Sequence, residues 1–101
     1  MKRNIKFSVE AIRWFDRANG NTYHACRITR TRDGATLGCP LTYGYGDSYR
    51  QTALERMAGA KWLPVKYRNG DHMSYERGNN YPILWSVSDG LKRDAEALGS
   101  V

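Results

Sequence analysis

Apolar and polar positions alternate along residues 5–46, IKFSVEAIRWFDRANGNTYHACRITRTRDGATLGCPLTYGYG, in three runs parted by Asn19-Gly20 and Asp33-Gly34. A period of two marks a half-buried strand. Asn-Gly and Asp-Gly suit two-residue hairpin turns, whose central residues both need φ > 0. The pattern therefore predicts an antiparallel meander of strands over residues 5–16, 21–32 and 36–43. Turns of that length set Phe15 opposite His24, Arg13 opposite Cys26 and Ala11 opposite Ile28. They also set Ile28 opposite Cys39, Cys26 opposite Leu41 and His24 opposite Tyr43. One face then carries Phe7, Val9, Ala11, Phe15, His24, Cys26, Ile28, Leu37, Cys39, Leu41 and Tyr43. Arg13 is the misfit on it, which predicts a bulge near Arg13-Trp14.

Beyond Gly44 and Gly46 the period changes. Tyr49, Ala53, Leu54 and Met57 recur at helical spacing, with Asp47 or Ser48 as cap and Gly59 as stop. This helix is expected to lie on the Cys26/Cys39 face. Leu63, Val65 and Tyr67 alternate in a short strand over 62–67, which Pro64 confines to an edge or a bulge. Asn69-Gly70 and Gly78-Asn79-Asn80 read as turns, with a ragged strand or a loop over 72–77 between them. Tyr81, Ile83, Trp85 and Val87 alternate again. Leu91, Ala95 and Leu98 share one face of a final short helix, with Ser88 as cap and Gly99 as stop. Residues 1–4 read as a loosely attached lead. The chain is predicted to be a single α+β domain over 1–101. Its antiparallel sheet begins with the meander, a central helix packs on one face, and a short C-terminal helix is expected on that same side.

Composition narrows the function without choosing one. The 101 residues are 41% hydrophobic and 26% charged, an ordinary globular balance. Sixteen Lys and Arg against 10 Asp and Glu leave a net charge of +6, mostly from Arg. Such a charge suits a polyanionic partner, or simply keeps a small protein in solution. No apolar run is long enough to span a membrane, and the basic start MKRNIKFSVE lacks the apolar core of a secretory signal. Cys26 and Cys39 fall diagonally on the apolar face, where buried free thiols are expected and a diagonal disulfide is the alternative.

Candidate chemistry lies mainly on the other face of the meander: Ile12, Trp14, Tyr23, Ala25, Arg27, Thr29, Thr31, Pro40 and Thr42. Trp14 and Tyr23, within diagonal reach and followed by Arg27, match the aromatic and cationic groups that stack bases and hold phosphates. The competing reading makes Trp14 core, covered by the second half of the chain. Arg13 and Arg17 flank the first turn. Arg30 and Arg32 point toward the rim of the apolar face, where they either contact phosphates or snorkel over an apolar edge. His24 is expected to bond Tyr43. No metal-ligand spacing, carboxylate pair, nucleophile elbow or glycine-rich phosphate loop is present, so no cofactor, no metal and no catalytic residue is expected. The Tyr, Trp and Arg content suits a protein interface as well as nucleic acid.

Trp14, Phe15, Gly20, Asn21, Thr22, Tyr23 and His24, then Tyr43, Gly44, Tyr45, Gly46 and Asp47 before a helix, form a pattern. It resembles small uncharacterised proteins of tailed phages and other mobile elements, over roughly residues 5–57. Those proteins carry no assigned activity, so the resemblance implies only a setting, a bacterial host cytoplasm. The expected function is a non-enzymatic nucleic-acid binding protein using Trp14, Tyr23, Arg27, Arg13, Arg17 and Arg30. The alternative is a phage-encoded inhibitor of a host protein or nucleoprotein complex, such as a CRISPR effector.

Overall fold

The structure, a computed structural model, describes residues 4–64 and 72–100. The expected lead at 1–3, the strand beyond Pro64 and the Asn69-Gly70 turn lie outside these residues. Three strands, β1 (Phe7–Asp16), β2 (Asn21–Arg30) and β3 (Thr36–Tyr43), form the predicted antiparallel meander. Then follow helices α1 (Ser48–Gly59) and α2 (His72–Gly78), strand β4 (Ile83–Asp89) and helix α3 (Lys92–Leu98). The fold class is α+β.

Both hairpin loops are two residues longer than the Asn-Gly and Asp-Gly pairs suggest. Asp16 pairs with Asn21, and Gly20 N–H bonds the Asp16 carbonyl at 2.7 Å, enclosing a four-residue loop. The Asp16 carboxylate accepts from Ala18 N–H and from the Asn19 amide, which favours the longer reversal. The second loop repeats this design, with Gly34 N–H on the Arg30 carbonyl and the Asp33 carboxylate accepting from Ala35 N–H. Only the last residue of each loop is left-handed, Gly20 at φ +69° and Gly34 at φ +73°.

The register therefore moves by two positions from the one expected. Arg13 faces His24, Ala11 faces Cys26, and Ile28 faces Leu37. A shift of two leaves every side chain on its original face. That is why Phe7, Val9, Ala11, His24, Cys26, Ile28 and Cys39 are buried as the pattern requires. Cys26 and Cys39 are directly opposite rather than diagonal, and both are free thiols. The neighbouring Cys39 sulfur, together with burial, pushes the Cys26 thiol above its ordinary range. A protonated Cys26 packs as a small apolar group.

The irregularity expected at Arg13-Trp14 occurs instead between β2 and β3. Across it the two-residue step from His24 to Cys26 faces the three-residue step from Cys39 to Thr42. Pro40 has no N–H for the ladder, so a bulge is tolerated there. The extra residue reverses the alternation, and Tyr43 comes out beside Tyr23, 61% exposed.

Helix α1 covers the expected face. Tyr49, Ala53, Leu54 and Met57 pack with Phe7, Val9, Cys26, Ile28 and Ile83 in one core. Fully burying Leu54 and Met57 stabilises the fold by about 1.5–3 kcal/mol each. α1 closes with Trp62 N–H on the Met57 carbonyl and Lys61 N–H on the Ala58 carbonyl. This paired closure turns the chain through a left-handed residue, here Lys61 at φ +65°. Residues 62–64 therefore belong to the closure of α1 and are not extended as strand, and the rest of the strand expected over 62–67 lies outside the described residues. Residues 72–77, expected to be a ragged strand or a loop, are helical, and Tyr81 N–H on the Glu76 carbonyl closes that helix through left-handed Asn80.

Strand β4 contains the predicted Ile83/Trp85/Val87 alternation but runs parallel to β1, so the sheet is mixed, in the order β3-β2-β1-β4. The last helix starts at Lys92, because residues 83–89 remain extended along β1. It does not join α1. It contacts β1, β2 and β3 on the opposite face, where Ala25, Ala95 and Leu98 are buried apart from the main core. Gly90 and Gly99 permit this docking: a Cβ at Gly99 would overlap the Cys39 carbonyl, and one at Gly90 would press on Ile12 at 3.0 Å. Helices thus lie on both sides of the sheet rather than on one.

Candidate binding groove

The register places Trp14 directly opposite Tyr23, not diagonal to it. Their rings stack at 5.6 Å and 28°, and Tyr43 meets Tyr23 edge-on at 5.8 Å, an aromatic row across three strands. Both arrangements are favoured by ring quadrupoles. α3 shapes the rest of this face. Trp14 and Tyr23 remain half-buried, and the Lys92 ammonium lies 5.4 Å from the Trp14 ring centre, a cation–π contact. Residue Ala25, next after Tyr23 on this face of β2, is fully buried.

Arg27 lies beyond Ala25. It is opposite Glu10 on β1 and Gly38 on β3, and its Nε is buried with no hydrogen-bond acceptor among the described residues. Arg27 therefore does not flank the aromatic pair, and Lys92 supplies the cation there.

Trp14, Arg13 and Arg17 do come together, lining an open groove of about 830 Å³ at the end of β1. Phe15, Tyr45 and Leu91 form its other walls. Phe15 has the core-face parity expected of it, but it lies at the end of the strand and is 54% exposed. Arg13 donates from Nε to Asp89 at 3.1 Å and from Nη1 to the Gly46 carbonyl at 3.2 Å. It thus fastens the corner of residues 44–47 to β4. Arg17 forms no ion pair among the described residues.

The corner is held from below by His24. Its Nδ1 donates to the Gly44 carbonyl at 3.1 Å, so in the neutral ring Nε2 accepts from the Thr52 hydroxyl at 2.7 Å. Tyr43, the expected partner, is turned away by the bulge. Burial drives the His24 pKa below its ordinary value, and the Gly44 carbonyl offsets part of that.

Arg30 is at the other end of the sheet, since β2 runs away from the groove. It donates to Asp33 from Nε at 3.0 Å and from Nη2 at 2.7 Å, and lies 4.4 Å from the Trp62 ring centre. The six residues singled out in the sequence thus fall into three places. One is the groove with Arg13, Trp14, Arg17 and the Tyr23 behind it. The others are mid-face Arg27 and remote Arg30.

Three features here escaped the sequence. Leu91 reaches the groove, and Lys92 the Trp14 ring, only through the docking of α3, and Tyr43 joins the aromatic row only through the bulge, for which Pro40 was the available sign. A buried polar cluster was missed as well. Glu76 accepts the indole N–H of Trp85 and lies 3.8 Å from Arg50 and 3.9 Å from His72. Arg50 in turn covers the Trp85 ring at 4.9 Å. His72 and Glu76 stand four apart, a helical spacing obscured by reading 72–77 as non-helical. Among the described residues no group of three His, Cys, Asp or Glu side chains could hold a metal ion. No described helix is long and apolar enough to cross a membrane. No family model, curated protein or solved structure matches this chain.

Proposed function

We propose that this chain is a non-enzymatic binding protein that takes single-stranded nucleic acid in the groove at the end of β1. The observation that carries the reading is Trp14, which lines the groove with Phe15, Tyr45, Arg13 and Arg17 and is also the first ring of the Trp14–Tyr23–Tyr43 row that continues outside it, with Lys92 over its indole. Flat rings accept bases of any sequence, and cations track the phosphates between them. Both cations lining the groove are arginines, whose fork suits phosphate oxygens. Arg13, already held by Asp89 and Gly46, positions the wall, while Arg17 is available to a ligand. The resemblance to small phage-encoded proteins supports a setting in a bacterial host, where such a module would act on nucleic acid.

Binding of short oligonucleotides, followed by fluorescence anisotropy across a salt series, tests the proposal. Affinity should fall steeply with salt as phosphate counterions are displaced. Trp14→Ala should weaken binding roughly ten-fold, since base–aromatic stacking contributes about 1–3 kcal/mol per base. Arg17→Glu, at an exposed turn position, should weaken it without touching the core. The absence of salt-sensitive binding at every oligonucleotide length overturns the reading. A host protein captured equally after nuclease treatment would favour the inhibitor alternative instead, because exposed Phe15, Tyr43 and Tyr45 suit a protein hot spot too.

A further inference from the structure

At the opposite end of the sheet, the end of β2, the turn after it, the start of β1 and the closure of α1 enclose a second cavity of about 630 Å³. Its lining includes Lys6, Arg30, Thr31, Arg32, Lys61 and Trp62. Four cationic residues line it, and the one carboxylate bonded to them is Asp33, on Arg30. Lys6, Arg32 and Lys61 form no ion pair among the described residues.

Arg30 and Trp62 are fixed in place, while Lys6, Arg32 and Lys61 are exposed around them. Phe7 pairs with Arg30 in the β1–β2 register, and Trp62 stacks on the Phe7 ring at 6.0 Å and 12°. The Arg30 guanidinium lies over the same indole, its orientation set by two bonds to Asp33. The Thr31 N–H bonds the Lys6 carbonyl at 2.9 Å and so ties the turn to the start of β1.

Two features of this end work against stability. Like charges repel when gathered around one cavity. Lys61 occupies the left-handed position of the α1 closure, where glycine is the preferred residue. A strained lysine in a cationic cavity is the kind of outlier that marks a ligand site.

We infer that this cavity is a binding site for a phosphate group, held by Lys6, Arg32, Lys61 and the free edge of Arg30 beside the Trp62 ring. A single carboxylate would satisfy one fork, whereas a phosphate carries enough charge and oxygens for several cations at once. The cavity is also large enough for a nucleotide attached to that phosphate. The phosphate could belong to a free nucleotide or to the end of a nucleic acid. The site goes beyond the groove reading and is independent of it.

The test uses the full chain and calorimetric titration with pyrophosphate, and with one oligonucleotide in its 5′-phosphorylated and 5′-hydroxyl forms. Saturable pyrophosphate binding is expected, weakened about ten-fold in both Lys61→Gly and Arg32→Gln, because each removes a charge-assisted bond. Lys61→Gly should melt no lower than the parent, since glycine fits the left-handed turn, so lost binding cannot be ascribed to unfolding. Trp14→Ala should leave pyrophosphate binding unchanged, which separates this site from the groove. Tighter binding of the 5′-phosphorylated oligonucleotide assigns the site to nucleic-acid ends. Equal binding of the two forms, with pyrophosphate still bound, assigns it to free phosphates. Absence of pyrophosphate binding, or the parent's affinity retained in both variants, overturns the inference.

Discussion

Replacing His24 with asparagine tests how a buried imidazole holds the corner that frames the groove. The ring is 1% exposed and bonds Gly44 through Nδ1 and Thr52 through Nε2. An asparagine amide keeps the donor to the Gly44 carbonyl but loses the Thr52 bond and most of the ring volume. That should cost about 2 kcal/mol at pH 7, from the lost Thr52 bond and a small cavity, with the Thr52 hydroxyl left to the Ser48 carbonyl 3.3 Å away. The pH dependence is more diagnostic. Burial lowers the His24 pKa in the fold below its ordinary 6.5. Below pH 6.5 the unfolded chain therefore takes up a proton that the folded chain resists, and stability falls with acid. One proton contributes at most about 1.4 kcal/mol per pH unit, so up to about 2 kcal/mol between pH 6.5 and 5. The variant lacks this loss, so the stability gap between the two proteins should narrow toward acid. Urea unfolding of both at pH 5, 6, 7 and 8 measures the gap, and the other titrating groups cancel in the difference. A gap that stays constant, or widens toward pH 5, refutes the assignment of a neutral, desolvated His24.

Three further outcomes follow from the packing. Gly99→Ala should lower stability by about 1–3 kcal/mol, because the added methyl meets the Cys39 backbone and pushes α3 off the sheet; quenching of Trp14 fluorescence by iodide should rise in step. Glu76→Ala should cost about 1–3 kcal/mol by stranding the Trp85 indole N–H and removing the partner of Arg50, whereas Glu76→Gln, which retains an acceptor, should cost less in thermal melts. Cys26, its thiol pushed up in pKa and fully buried, should react with a thiol reagent only at the rate of unfolding, so labelling that outpaces unfolding would contradict the packing.

The meander and the first helix were legible because their signals are local and survive error. Two hairpin loops were each misjudged by two residues, yet the buried set Phe7, Val9, Ala11, His24, Cys26, Ile28 and Cys39 was unaffected, since side-chain direction repeats every two positions. The Tyr49/Ala53/Leu54/Met57 stripe could bury only one face, and that face was identifiable in advance. Tertiary structure decided the rest. Whether β4 joins β1 parallel or antiparallel depends on the path of the intervening chain, not on the pattern Ile83-x-Trp85-x-Val87. A seven-residue helix buries little surface, so its periodicity does not say which side of the sheet it will cover. The docking of α3 on the outer face puts Lys92 over Trp14 and buries Ala25 between Tyr23 and Arg27. A single extra residue between Cys39 and Thr42 turns Tyr43 from the core side to the aromatic row beside Tyr23. Arg30 meets Trp62 only because the closure of α1 returns to the start of β1. The alternation of residue types determined which side chains can be inside; only long-range docking determined which of those left outside share a site.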